Sequence, residues 1–141
     1  MKMKVIEVAT QKEFDNLPDS FEERTEIHIL KGESVKVKGG KKNGSVQAYK
    51  GSSVKAYGGS CVFAYKGSCV EAFEGSDVKA FDGSYVKAYE GSSVEAFDGS
   101  YVEAHVGSFV FAYEGSRVYA YVGSSVSAFE GSDVKYLNPV I

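Results

Sequence analysis

From residue 43 onward the chain alternates uniform and variable positions in a fixed eight-residue phase. Written as Gly-Ser-x-Val-x-Ala-(Tyr/Phe)-x, twelve octads run from Asn43 to Asn138, and Gly83-Ser84-Tyr85-Val86-Lys87-Ala88-Tyr89-Glu90 is a clean copy. Places two, four and six are small and constant, whereas places three and five vary and are often charged. Period-two alternation is the signature of a half-buried strand, with the constant set facing a narrow core and the variable set facing water. Gly in place one supplies the positive φ of a turn. Eight residues hold one short strand and one turn, so the predicted architecture is an all-β, right-handed β-solenoid in which each strand pairs with the coils above and below. Two degenerate copies, beginning at Arg24 and Gly32, lie upstream in phase, followed by a three-residue insertion at Gly40–Lys42.

The charges decide how many octads close one coil. Outward residues on adjacent coils lie about 4.8 Å apart, so like charges should not stack. At a spacing of sixteen, place five reads Lys55, Glu71, Lys87, Glu103 on one face and sets Lys79 beside Glu95 on the other. Place three then gives Tyr101, Arg117, Asp133, read as a cation–π contact followed by an ion pair. At twenty-four, Glu71 would stack on Glu95 and Lys55 on Lys79. Place eight argues the other way, with Lys50 by Lys66 and Asp82 by Asp98, but side chains in turns splay into screening solvent. Two octads, sixteen residues, per coil is the reading adopted.

A solenoid needs its open edges capped. Residues 1–23 read as a short α/β cap: a strand at Val5–Ala9, then a capping box, Thr10-Gln11-Lys12-Glu13, opening a short helix that Leu17-Pro18 closes, with Phe14, Leu17 and Phe21 placed over the end of the core. Residues 24–42 form a degenerate first coil, 43–138 the regular solenoid, and 139–141 the C-terminal end. The decay of the repeat into Tyr136-Leu137-Asn138-Pro139-Val140-Ile141, with its larger side chains and Pro139, suggests a plug and a stop. Place seven is aromatic in ten of the twelve octads, with His105 and Leu137 as exceptions. One reading is a ladder of stacked rings wedged into the corners as core, favoured by the free exchange of Phe and Tyr. The other is an exposed ladder that mates with a partner.

The chain of 141 residues has a net charge of -3, which gives nucleic acid no electrostatic footprint. No apolar run is long enough to span a membrane, and the N-terminus lacks the apolar stretch of a signal peptide, so the expectation is a cytoplasmic protein. No nucleophile, base or metal set stands apart from the background: His28 and His105 sit on distant coils, and Cys61 and Cys69 fall on opposite faces. No Asp ladder for calcium is present. The expectation is a protein that is not an enzyme and uses neither cofactor nor metal. The pattern is broken instead by outward apolar residues. Phe63, Tyr85, Tyr101, Phe109, Phe111 and Tyr119 occupy places three or five, and Val106 and Val122 place eight. Most lie between residues 101 and 122, so Tyr101, Val106, Phe109, Phe111, Tyr119 and Val122 are the candidate interface of a homodimer or higher oligomer, or for a protein partner.

The Ser-x-Val-x-Ala-aromatic octads, with the leader Val5-Ile6-Glu7-Val8 through Phe14-Asp15-Asn16-Leu17-Pro18-Asp19-Ser20-Phe21, resemble octapeptide-repeat proteins of bacteriophage and prophage genomes. That resemblance covers nearly the whole chain. It implies no activity, but it implies a host cytoplasmic location and a host or virion component as partner, such as a defence protein to be blocked. The Gly-Ser-rich coil is also similar to bacterial ice-nucleation repeats, which implies a sixteen-residue coil and a dimer through a tyrosine ladder. Their Thr-x-Thr arrays are missing, since Thr10 and Thr25 are the only threonines. The leading reading is a non-enzymatic surface for self-association or protein binding. The alternative is a carbohydrate or small-ligand module using outward Tyr and charged rows.

Overall fold

The computed structural model describes residues 3–137 of the chain. β1 (Lys4–Val8), α1 (Gln11–Asp15), β2 (Ser20–Ile29), β3 (Ser34–Val37) and β4 (Lys42–Ala48) precede the regular repeat. There follow β5 (Ser53–Ala56), β6 (Cys61–Ala64), β7 (Cys69–Ala72), β8 (Asp77–Ala80), β9 (Tyr85–Ala88), β10 (Ser93–Ala96), β11 (Tyr101–Ala104), β12 (Phe109–Ala112), β13 (Arg117–Tyr121), β14 (Ser125–Ala128) and β15 (Asp133–Leu137). β1, β2 and the even-numbered strands from β4 form one eight-stranded sheet, and the odd-numbered strands from β3 form a seven-stranded one. Every pairing is parallel, so the fold is an all-β solenoid.

The register is that of a sixteen-residue coil: Lys55 faces Glu71, Glu71 faces Lys87, and Lys87 faces Glu103. Lys79 faces Glu95 on the other sheet. The charge columns therefore carry the sense they have in the sequence. The three-residue insertion stretches one coil, pairing Val35 with Val54 and Ile27 with Val46. The degenerate octads are full rungs, with Ile27, Ile29, Val35 and Val37 buried in the same core as the regular valines.

Val and Ala of places four and six form the interior, and from Val54 to Val102 each Val is at most 1% exposed. Place two is buried as well, and there Ser does a specific job. The carbonyl of the place-seven residue three positions earlier points into the coil. From Ser60 to Ser132 the Ser N–H and hydroxyl both donate to it, as Ser100 does to Phe97 at 3.0 and 2.6 Å, whereas Ser52 donates only its N–H and its buried hydroxyl has no partner. A buried carbonyl is thereby satisfied without a large side chain. Gly75, in place one, has φ +81°, and an added Cβ there would lie 3.1 Å from the Cα of Gly58 on the coil below. Its backbone joins a column along the edge of the stack, where Gly59 donates to Gly75 and Gly75 to Gly91 at 2.9 and 3.0 Å.

At the N-terminal end, Thr10 caps α1 through a full capping box with Glu13, and Phe14 and Phe21 are buried while Leu17 packs against the core. β1 adds a rung to the larger sheet, so the segment extends the stack as well as closing it. At the C-terminal end only Tyr136 and Leu137 of the expected plug are described, and Leu137 is half-buried. Tyr136 does not plug the core: it stands in the place of Ala, too large for the interior, and is 65% exposed. Asn138 to Ile141, and with them the rest of the expected plug and the stop, lie outside the described residues.

Candidate functional site

The place-seven residues stack one coil apart in two ladders, one along each edge of the flattened coil. Tyr49, Tyr65, Phe81, Phe97, Tyr113 and Phe129 form one, with successive ring centroids 5.0–5.3 Å apart. Tyr57, Phe73, Tyr89, His105 and Tyr121 form the other, and His105 takes a ring's place 4.9 Å from Tyr89 and 4.8 Å from Tyr121. Neither expectation for these rings holds in full. Most are half-buried, so they are neither core nor a naked ladder. Their faces cover one another, and what reaches solvent is ring edges and hydroxyls.

The six candidate interface residues do not form one patch. Consecutive octads belong to opposite sheets, so Tyr101 and Tyr119 lie on the seven-stranded face, in β11 and β13, while Phe109 and Phe111 lie on the eight-stranded face, in β12. Tyr101 is half-buried between Tyr85 at 4.9 Å and Tyr119 at 5.1 Å. Its ring faces are occupied, and Arg117, which pairs with it in register, turns to Asp133 at 3.8 Å. The cation–π contact expected between Tyr101 and Arg117 is accordingly replaced by Lys135 over Tyr119 at 5.8 Å. Exposed phenylalanines are a different matter. Phe109 is 51% and Phe111 41% exposed, on a face whose neighbouring strands carry Ser93 and Ser125 in register with Phe109.

Val106 and Val122 sit in the turns that join β11 to β12 and β13 to β14, so they lie on the edge between the two faces, at the end of β12 where Phe109 stands, and both are exposed. Tyr121 stands beside Val122 and is itself exposed. The sequence reading missed it because place seven belongs to the ladder, and only its lack of a covering ring on the next coil singles it out. Val106, Phe109, Phe111, Tyr121 and Val122 thus gather at one corner of the C-terminal coils. On the same edge, further toward the N-terminus, place eight holds the exposed carboxylates Glu74 and Glu90. Beside Phe111 a shallow groove of about 310 Å³ runs along the eight-stranded face past Glu95, Ser93, Lys79 and Cys61.

One polar cluster was also invisible in the sequence. His28 Nε2 lies 2.8 Å from Glu26, and Tyr49 donates to Gln47 at 2.8 Å while its hydroxyl stands 3.4 Å from the same imidazole nitrogen. The hydrogen bond from His28 holds the Glu26 carboxyl below its usual range, and burial pushes the Tyr49 and Tyr65 hydroxyls up. The arrangement closes the head of one ladder, with His28 tilted against Tyr49 at 4.5 Å. His28 Nε2, Glu26 Oε1, the Tyr49 hydroxyl and Gln47 Oε1 are engaged with each other. Among the described residues, no three His, Cys, Asp or Glu side chains converge on a point where they could share an ion.

Cys61 and Cys69 are unpaired and stand on different sheets, in β6 and β7. Burial, and then the carboxylates Asp77 and Glu71 respectively, push both thiols up. Less thiolate is present at mildly alkaline pH, and thiolate is the nucleophile. Alkylation by iodoacetamide at pH 8 is therefore expected to be slower for both than for a cysteine in an unfolded peptide of the same sequence. Equal rates would show the thiols to be unshielded. No family model matches the chain, and no curated protein or solved structure does so either.

Proposed function

We propose that this chain works by contact: it is a non-enzymatic, rigid scaffold that presents the corner formed by Val106, Phe109, Phe111, Tyr121 and Val122 to a protein partner. The observation that carries the reading is the contrast within the repeat. Places three and five hold Ser or charged residues on most coils, and no packing demand inside the coil asks for Phe109 and Phe111 outside. A gathered exposed apolar patch of this kind is the usual mark of a protein contact. The carboxylates of Glu74 and Glu90 on the same edge suit a partner whose apolar centre is flanked by basic residues. The resemblance to phage octapeptide-repeat proteins implies a host or virion component as that partner. The carbohydrate alternative is weaker on one specific ground: sugars stack on open ring faces, and Tyr85 and Tyr101 stack on each other while Tyr119 tilts against Tyr101 and carries Lys135 over its ring.

The test compares three immobilised forms of the chain: wild type, Phe109→Ser/Phe111→Ser, and Tyr85→Ser on the opposite face. Proteins bound by wild type and by the Tyr85 variant should be lost from the double variant, with affinity falling about tenfold or more for truncated anchors. Retention of the same proteins by all three forms would remove the corner from consideration.

A further inference from the structure

On the seven-stranded sheet the two ends of the stack are finished differently, whereas β1 and β14, at the two ends of the other sheet, are each hydrogen-bonded on one side only among the described residues. At the N-terminal end, the edge of β3 is already occupied. The side-chain amide of Gln11 accepts from the Lys36 N–H at 2.7 Å and donates to the Lys36 carbonyl at 3.1 Å, the two bonds a neighbouring strand would make. Gln11 belongs to α1, whose Phe14 is buried at the same end. At the other end, β14 and β15 are hydrogen-bonded on one side only among the described residues. The inward Val126 and Val134 are only partly buried, whereas Val110 and Val118 one coil below are fully covered, and Ala128 is exposed. An edge with unpaired N–H and C=O groups above a partly open core is a template for another strand.

From this asymmetry we propose that two copies of the chain dimerise end to end through β14 and β15. Head-to-tail growth is obstructed on the seven-stranded sheet, because Gln11 and α1 hold the edge that β15 of a second copy would need. The open end is therefore matched by another open end, in a closed contact about a two-fold axis perpendicular to the stack. Such an axis pairs β15 with β15 of the second copy antiparallel. Inward residues must face inward residues, since a one-residue slip sends every side chain to the wrong side. The outward side chains of β15 then select the register. An axis through Val134 sets Asp133 of each copy opposite Lys135 of the other, giving two opposite-charge cross-strand pairs, whereas an axis through Lys135 would set two lysines against each other. On β14 the outward residues are Ser125 and Ser127, which are neutral in either register. The dimer joins each sheet of one copy to its counterpart in the other.

This inference does not rest on the apolar corner, and the experiment keeps the two apart. Sedimentation at high micromolar concentration is measured for wild type, Asp133→Lys, Lys135→Asp, the exchange Asp133→Lys/Lys135→Asp, and Phe109→Ser/Phe111→Ser. Wild type, the exchange variant and the phenylalanine variant are expected at the mass of a dimer. Each single charge variant is expected as a monomer with an unchanged circular dichroism spectrum. The two single variants should form a one-to-one dimer when mixed, because one carries two cations and the other two anions on the outward side of β15. A monomeric wild type overturns the proposal, as do single variants that stay dimeric. A dimer lost in the phenylalanine variant but indifferent to both charge reversals overturns it too, and assigns self-association to the corner instead.

Discussion

Replacing Val86 by Asp is expected to unfold the protein or to lower its melting temperature by about 10 °C or more, as read by far-ultraviolet circular dichroism. Val86 is fully buried in β9, in register with Val70 below and Val102 above. The interior there consists of Val, Ala and Ser, whose hydroxyls are already committed to turn carbonyls, so nothing in the layer can pair with a carboxylate. An unpaired buried charge costs several kcal/mol, a large share of the 5–15 kcal/mol or so that holds a typical domain together. The variant Val86→Thr is the control. It keeps the branched shape and adds a single hydroxyl, which should cost about 1–3 kcal/mol. An Asp variant that melts within a degree or two of wild type would overturn the inward assignment of place four.

The second large effect is expected at the turn. Gly75→Val should lose about 1–3 kcal/mol from its backbone conformation alone, since a branched residue at φ +81° is strained. It should lose more because its Cβ meets the backbone of Gly58, which cannot swing aside as a side chain would. The same place in the first regular octad is held by Asn43, the only non-glycine residue with positive φ among the described residues, at 61°. Asn tolerates that region better than other residues with a Cβ. The losses should therefore rank Asn, Ala, Val at position 75, measured by thermal or urea unfolding. A flat series would show that neither φ nor the approach of Gly58 limits this position.

The fold was legible because the octad places each residue in a known role and the charges fix the coil. Lys87 beside Glu103 requires sixteen residues, and the like-charged pairs in place eight do not contradict it, since Lys50, Lys66, Asp82 and Asp98 are all exposed. The cap was legible from local chemistry alone, through Thr10 and Glu13. The site was only half legible, and for a physical reason. In a two-octad coil, residues eight apart point to opposite sides of the molecule. Tyr101 and Phe109 are neighbours in the sequence and strangers in space, while Phe109 and Val122 share a corner. Side-chain competition was equally hidden: Arg117 could have turned to Tyr101 or to Asp133, and with Tyr85 stacked on Tyr101 and Tyr119 tilted against it, Arg117 goes to Asp133. The terminal Tyr136 resembled a plug because it is large, yet its size is what keeps it out of an interior sized for Ala.

The uniform core has a consequence for length. An interior rung presents the same Val, Ala and Ser environment to its neighbours above and below. A block of sixteen residues could therefore be duplicated or deleted within the regular coils without creating a cavity or an overpacked contact. Each such event would move the apolar corner by one strand spacing, about 4.8 Å, relative to the Thr10 cap, and leave it on the same side of the molecule. A block of eight would instead carry the corner to the opposite side. Genes encoding such chains are free to vary in steps of forty-eight nucleotides and constrained against steps of twenty-four, so the distance between two attachment points becomes a quantity that recombination can tune while the fold stays fixed.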